Sequence, residues 1–220
     1  MDLNALRHNV QVIREHAGDA QLMAVVKANA YGHGLLRCAR TFREAGVGWL
    51  ATADPQEALL LRSAGERGCL FAWLWTPHSP FAAAVEEDID ISVSALWDLR
   101  MVTGAAYACR RRARIHLEVD TGLGRNGCPM PQWEELLVAA VKAQQAGTID
   151  VVGVWSHLAM AEEHGHPSVH QQLAHFQRAL TLAEAAGITP QVRHLANSAA
   201  TLLWPRTRLC GIGLGMSITM

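Results

Sequence analysis

Lys27 closes the apolar run Leu22-Met23-Ala24-Val25-Val26 and opens the loop Asn29-Ala30-Tyr31-Gly32-His33-Gly34, ahead of a helical pattern that starts at Leu35. A lysine placed where a buried strand empties into a loop is partly desolvated. Desolvation disfavours the ammonium form, so the amine becomes a nucleophile near neutral pH, as a Schiff-base lysine requires. On position alone a second reading stands beside this one, in which the side chain snorkels to water at a strand end. The other chemistry-bearing residues bear on the choice. Asp120-Thr121, Ser156-His157 and the stretch from His194 to Ser198 each end a later apolar run, and small residues from Gly211 to Gly215 end the last.

These residues need elements that bring them together. A first amphipathic helix is predicted over 3–16, followed by strands at 21–27, 48–53, 69–74, 89–94, 113–119, 151–156, 191–194 and 208–214. Helical patterns fill the intervals at 35–45, 55–64, 80–87, 95–108, 131–146, 168–186 and 198–203. Their starts carry recognisable signals: Asp54 before Pro55, Pro131 in a first turn, and Ser168 ahead of a long apolar-periodic stretch. Eight repeats with strands buried on both faces favour an α/β fold of the closed (β/α)8 TIM type, with a doubly wound open sheet as the alternative. No Pro/Ser/Gly-rich linker divides the chain, so residues 1–220 read as one domain. In such a barrel the site gathers at the carboxyl ends of the strands, and the last two strands supply a phosphate site. Here they offer Asn197-Ser198 at a helix start and the backbone around Gly211-Ile212. A reactive lysine facing a phosphate cradle points to pyridoxal phosphate.

Composition excludes several classes. The chain has 220 residues, half of them apolar, enough to bury a large core, and a formal charge of -1 that gives no footprint for nucleic acid or an anionic membrane. No apolar run is long enough to span a bilayer and the start has no signal-peptide pattern, so a cytoplasmic protein is expected. The cluster Arg110-Arg111-Arg112 with Arg114 reads as a solvated helix end. Cys38, Cys69, Cys109, Cys128 and Cys210 are widely spaced and form no Cys-x-x-Cys pair; they read as small buried hydrophobes, with no metal site. The segment Glu162-Glu163-His164-Gly165-His166, with His170 and His175, reads as a polar loop entering a helix rather than a metal site. Gly122-Leu123-Gly124-Arg125-Asn126-Gly127 matches Gly-x-Gly-x-x-Gly, yet Cys128-Pro129-Met130-Pro131 separates it from the next helix, against a dinucleotide site. Trp73, Trp75 and Trp155, near strand ends, read as packing residues or walls of the site mouth.

Four segments together resemble the successive motifs of bacterial alanine racemases and span nearly the whole chain. They are Val26-Lys27-Ala28-Asn29-Ala30-Tyr31-Gly32-His33-Gly34, the run from His116 to Gly127, Ser156-His157-Leu158-Ala159, and His194-Leu195-Ala196-Asn197-Ser198-Ala199-Ala200. The resemblance implies a pyridoxal phosphate enzyme that interconverts L-alanine and D-alanine and so supplies D-alanine for the cell wall. It implies that Lys27 carries the cofactor and acts as a base on one face of the substrate. Tyr31 would bind near the phosphate, Arg125 would hold the substrate carboxylate, and Asn197, Ser198, Gly211 and Ile212 would hold the cofactor. His157 would belong to the polar network beneath the ring, with Glu118 and His194 in support.

The sequence also departs from the family pattern. Glu118 stands where many members carry a carbamate-modified lysine, so it is expected to pair with Arg125 and orient it, if it faces inward as strand alternation with Asp120 favours. Leu209 stands where the family has an arginine facing the pyridine nitrogen. The family's racemases add a β-rich second domain that contributes an opposite-face tyrosine across a homodimer interface. This sequence reads as a barrel without it, whose only tyrosines are Tyr31 and Tyr107. Two rivals to an active racemase therefore stay open: a non-catalytic pyridoxal phosphate carrier, and an incomplete barrel that binds nothing firmly.

Overall fold

In the computed structural model, residues 2–209 are described in full and Ile212–Ser217 as a backbone strand. The strands are β1 (Gln21–Val25), β2 (Trp49–Thr52), β3 (Cys69–Ala72), β4 (Ile89–Val93), β5 (Ala113–Asp120), β6 (Ile149–Trp155), β7 (Val192–His194) and β8 (Ile212–Ser217). They pair in parallel in the order β7-β6-β5-β4-β3-β2-β1-β8. The two ends of that row, β7 and β8, pack against each other, so the sheet curls into a TIM-type barrel. A two-residue strand, Cys128–Pro129, adds to the upper end of β5.

The helices are α1 (Leu3–Ala17), α2 (Leu35–Glu44), α3 (Pro55–Ser63), α4 (Phe81–Glu86), α5 (Leu96–Cys109), α6 (Met130–Gln145), α7 (Pro167–Ala185) and α8 (Ser198–Leu203). Local chemistry explains their starts. Asp2 accepts from the Asn4 and Ala5 amides, and Asp54 accepts from the Gln56 amide at 2.8 Å with Pro55 as the first helical residue. The start expected from Ser168 is instead capped by His166, whose ring accepts from the Ser168 amide, because Pro167 already occupies the first turn. Boundaries otherwise fall within a few residues of those expected.

Alternation along each strand divides the side chains between two cores. The outward set, including Ile115, Leu117 and Val119 of β5, packs with the helices around fully buried Trp133 and Phe176. A smaller inward cluster of Met23, Trp49, Ala51, Phe71, Val152, Trp155 and Val192 fills the barrel. On β5 the inward positions are instead polar: Arg114, His116, Glu118 and Asp120 share one parity.

Several expectations are corrected here. Arg110, Arg111 and Arg112 are exposed at the helix end as expected, but the cluster is paired as well as solvated. Arg111 pairs with Asp88, Arg112 with Asp150, and Arg114 with Asp90 through two bonds of 2.6 and 3.1 Å, stitching α5 and β5 to the strands on either side. Cys38 and Cys128 are buried, but Cys69 is exposed and Cys109 only half-buried; Cys210 lies outside the described residues. Among the described residues no cluster of His, Cys, Asp or Glu is placed to hold a metal, and no helix is long and apolar enough to cross a membrane.

Candidate active site

Lys27 lies two residues beyond β1, past Val26, whose amide bonds the Ala51 carbonyl of β2. The chain does not leave the strand as a simple loop. Ala28, Asn29, Ala30 and Tyr31 all take left-handed backbone angles, with φ between 52° and 55°. Such angles cost an L-residue roughly 1–2 kcal/mol each, so this turn persists only because its surroundings enforce it. The turn places Lys27 and Tyr31 side by side. The Lys27 ammonium nitrogen lies 5.7 Å from the centre of the Tyr31 ring and 5.8 Å from that of Trp73.

Both residues open onto a cavity of about 440 Å³ at the carboxyl ends of the strands. Arg125, His157, His194, Asn197 and Ser198 line the same cavity, and so do Trp73 and Trp155. Nine residues singled out from the sequence thus meet in one place although their sequence positions span most of the chain. Trp75 does not join them: it stacks on Phe81 and donates to the Ala72 carbonyl. Glu162, read as part of a polar loop, is exposed in such a loop and also forms a wall of the cavity.

The loop that carries Arg125 is held from below. Asp120 accepts from the amides of Gly122 and Gly124, and Gly127 takes φ +101° with its α-carbon against β5. A methyl group at Gly127 would sit 2.6 Å from the Asp120 nitrogen, so the loop folds back on its own strand and does not run into α6. Arg125 itself makes no hydrogen bond or ion pair among the described residues and is exposed to the cavity. Its guanidinium fork is therefore available to a carboxylate. Gln172 of α7 ties this loop to the next. Its side chain donates to Thr121 and to the His157 carbonyl and accepts from the Ala159 amide, while Thr121 and Ser156 share a 2.8 Å bond.

His157 is crowded by protein and stands near two cations. Burial first, then the charges of Arg125 and Lys27, push its imidazole down to about 4, so it is neutral at physiological pH. Asn197 caps α8 by accepting from the Ala200 amide at 2.9 Å, which engages its side-chain oxygen and aligns Ser198 at the cavity wall. Gly211 lies outside the described residues, and Ile212 enters only as the first backbone position of β8.

Glu118 behaves differently from the expectation. It is buried beneath the cavity floor, and its carboxyl accepts from Asn126 at 2.7 Å and from Ser92 at 3.5 Å; no ion pair joins it to Arg125. Burial pushes it up to about 8, with Arg125 near enough to oppose the rise, so near neutrality it is mostly protonated. It cannot then act as a full carboxylate partner. Leu209 packs against the outer core, and Arg208 donates to the Thr201 carbonyl at 2.7 Å, which fastens it to α8.

Below Glu118 runs a chain of polar groups that the sequence reading did not assemble. Asp90 accepts from Nε2 of His116, and Nδ1 of His116 shares a hydrogen bond of 2.9 Å with Nε2 of His194. Burial, then the neighbouring His116, hold His194 well below its ordinary value. His194 lies parallel to the Trp155 indole, which donates to Ser92. The bridge between the two histidines crosses β6 at Gly153, where a methyl group would lie 2.5 Å from the His116 ring. The signal available in the sequence was the polar parity of β5 together with a glycine inside an otherwise branched strand.

A sequence profile described as alanine racemase, N-terminal domain, matches residues 1–219. The chain belongs to the alanine racemase family. The alanine racemase of Streptomyces coelicolor is 53% identical over 211 residues, covering 93% of this chain and 54% of its own length. That of Frankia casuarinae is 46% identical over 218 residues, covering 99% and 57%. The crystal structure of alanine racemase from Streptomyces lavendulae superposes with a TM-score of 0.96 at 54% identity, over 98% of this chain and 56% of that one. The chain thus spans about half the length of these alanine racemases, and the half it matches includes the lysine turn, the arginine loop and the Ser198 helix.

Proposed function

We propose that residues 1–220 form the cofactor-binding barrel domain of an alanine racemase, carrying pyridoxal 5'-phosphate on Lys27 and working in the cytoplasm on alanine. The observation that carries this reading is the shared cavity, in which an amine, an unpaired guanidinium and a helix start converge. Its volume, about 440 Å³, lies within the range of small-molecule and cofactor sites, and its wall offers aromatic faces beside the amine. When bound, pyridoxal phosphate supplies the delocalisation that stabilises charge at the substrate α-carbon as its proton leaves.

The protein's part is positioning and proton transfer. Lys27 Nζ would hold the cofactor and, as a free amine, would take or return the α-proton on its own face of the substrate. Arg125 fixes the substrate carboxylate through two parallel hydrogen bonds, which sets the orientation of the α-proton. Tyr31, Asn197 and Ser198 would hold the phosphate end. His157, neutral at physiological pH, would lie near the ring and add no third cation beside Lys27 and Arg125.

Inversion by two bases needs a donor on the opposite face. Tyr31 shares the lysine's turn, and Tyr107 is 82% exposed on the outer surface of α5. By the family resemblance that donor would be a tyrosine of a second domain, supplied across a homodimer interface from outside this barrel.

Incubation with pyridoxal phosphate and L-alanine in deuterated water tests the reading. Deuterium entering the α-position with D-alanine formed supports a racemase. Deuterium uptake with retention supports a one-base barrel awaiting its partner. Cofactor binding without exchange supports the carrier reading, and no binding supports the incomplete barrel.

A further inference from the structure

Lys27 and Tyr31 reach the cavity from a single left-handed turn, and bonds within that segment close it: Ala30 amide to Val26 carbonyl, Gly32 amide to Ala28 carbonyl, His33 amide to Ala30 carbonyl, and Gly34 amide to Asn29 carbonyl. These leave the amides of Ala28 and Asn29 at the open start of the turn. Both are met by one side chain from elsewhere in the chain. Glu57 of α3 accepts from the Ala28 amide through Oε2 at 3.0 Å and from the Asn29 amide through Oε1 at 2.6 Å.

Glu57 does nothing else with its carboxylate: it has no ion pair and no other side-chain hydrogen bond among the described residues, and it does not line the cavity. Its own position is fixed by the Asp54 cap and by Pro55 at the start of α3. We propose that Glu57 is a positioning residue for Lys27, a two-oxygen clamp that forces the left-handed turn and thereby aims the amine into the cavity. The functional half of this inference rests on Lys27 being the cofactor lysine; the clamp itself does not.

The chemistry selects a glutamate. Two converging N–H donors need two acceptors, which an ionised carboxylate offers and an amide does not, since glutamine would turn an NH2 group toward one of the amides. Aspartate is one methylene too short to reach both from the same helix. Sequence inspection gave no sign of this role, because Glu57 falls in an ordinary amphipathic stretch 29 residues from Ala28.

Amide hydrogen exchange on the wild-type chain reads the clamp directly. Ala28 and Asn29 should exchange at least about 100-fold more slowly than unstructured amides. In Glu57→Gln both should speed up at least about tenfold, while β4 and α6 amides keep their rates. Labelling of Lys27 by pyridoxal phosphate, trapped with borohydride, should slow by a similar factor with Lys142 labelling unchanged, and Gln56→Ala should match wild type in both assays. Unprotected Ala28 and Asn29 amides in the wild type would overturn the proposal even if the variant did not fold. So would faster exchange in Glu57→Gln with Lys27 labelling at the wild-type rate, which would make Glu57 merely structural. If wild-type Lys27 takes no label at all, the cofactor reading falls while the exchange arm still decides the clamp.

Discussion

Asp90 and Lys27 belong to the same barrel, one low in its interior and one at its mouth, and their surroundings are opposites. Asp90 is 1% exposed and accepts two bonds from Arg114 and one from His116, so its charge is matched on every side. Lys27 stands beside the Tyr31 and Trp73 rings, and Arg125 across the cavity has no hydrogen bond or ion pair among the described residues. A buried charge left without partners would be expensive, so the interior satisfies each group it encloses. The mouth leaves donors open, as the proposed function requires of a site that a ligand completes. Between the two ends, Glu118 is buried without an ion pair among the described residues, and burial pushes its carboxyl up to about 8 against the opposing charge of Arg125.

The sharpest break of this contrast is Lys27→Ala. We expect α-proton exchange in alanine to fall by about a thousandfold or more, with unfolding free energy within about 0.5 kcal/mol of wild type, measured by deuterium uptake and urea titration. Asp90→Ala should do the reverse. It strands Arg114 and removes the acceptor of His116, for a loss of about 3 kcal/mol in urea unfolding, near the lower figure for a broken buried pair because Arg114 is one-third exposed. The labelling of Lys27 by cofactor should survive wherever the variant is folded.

How much of this was readable beforehand follows the same division. Residues at the mouth were legible because they end apolar runs, and a strand end in this architecture is where polar side chains find water and ligand. Lys27, Arg125, His157 and Ser198 were placed in the site on that ground and by family resemblance. The interior relay was not legible. Asp90, His116 and His194 lie 26 and 78 residues apart along the chain, and only the register of β4, β5, β6 and β7 brings them together. Glu118 was misread for a related reason: its face was predicted correctly, but its depth was not, and depth decides whether a carboxyl is charged. The left-handed turn was invisible because its residues are not the glycines that usually announce such angles.

Two smaller effects refine the contrast. Arg125→Lys keeps the charge but removes the fork, so KM for alanine should rise by about 10- to 100-fold in a functional assembly while stability is unchanged. Glu118→Gln tests the intermediate depth. A carboxyl held at about 8 in the folded chain and near its ordinary value when unfolded stabilises the fold at acid pH. That contribution is full below the unfolded value of 4.5 and declines as pH rises toward 8, at up to about 1.4 kcal/mol per pH unit. Urea midpoints measured from pH 5 to 8 should therefore fall more steeply for wild type than for Glu118→Gln.

The sequence contains two lysines, Lys27 at the mouth and Lys142 on the outer face of α6, so the chain carries its own control. Incubation with pyridoxal phosphate at low molar excess, borohydride reduction and peptide mass mapping read both at once. The account predicts one pyridoxyl group per chain, on Lys27, displaced by an excess of alanine. Equal labelling of Lys27 and Lys142, or labelling of Lys142 alone, would contradict it.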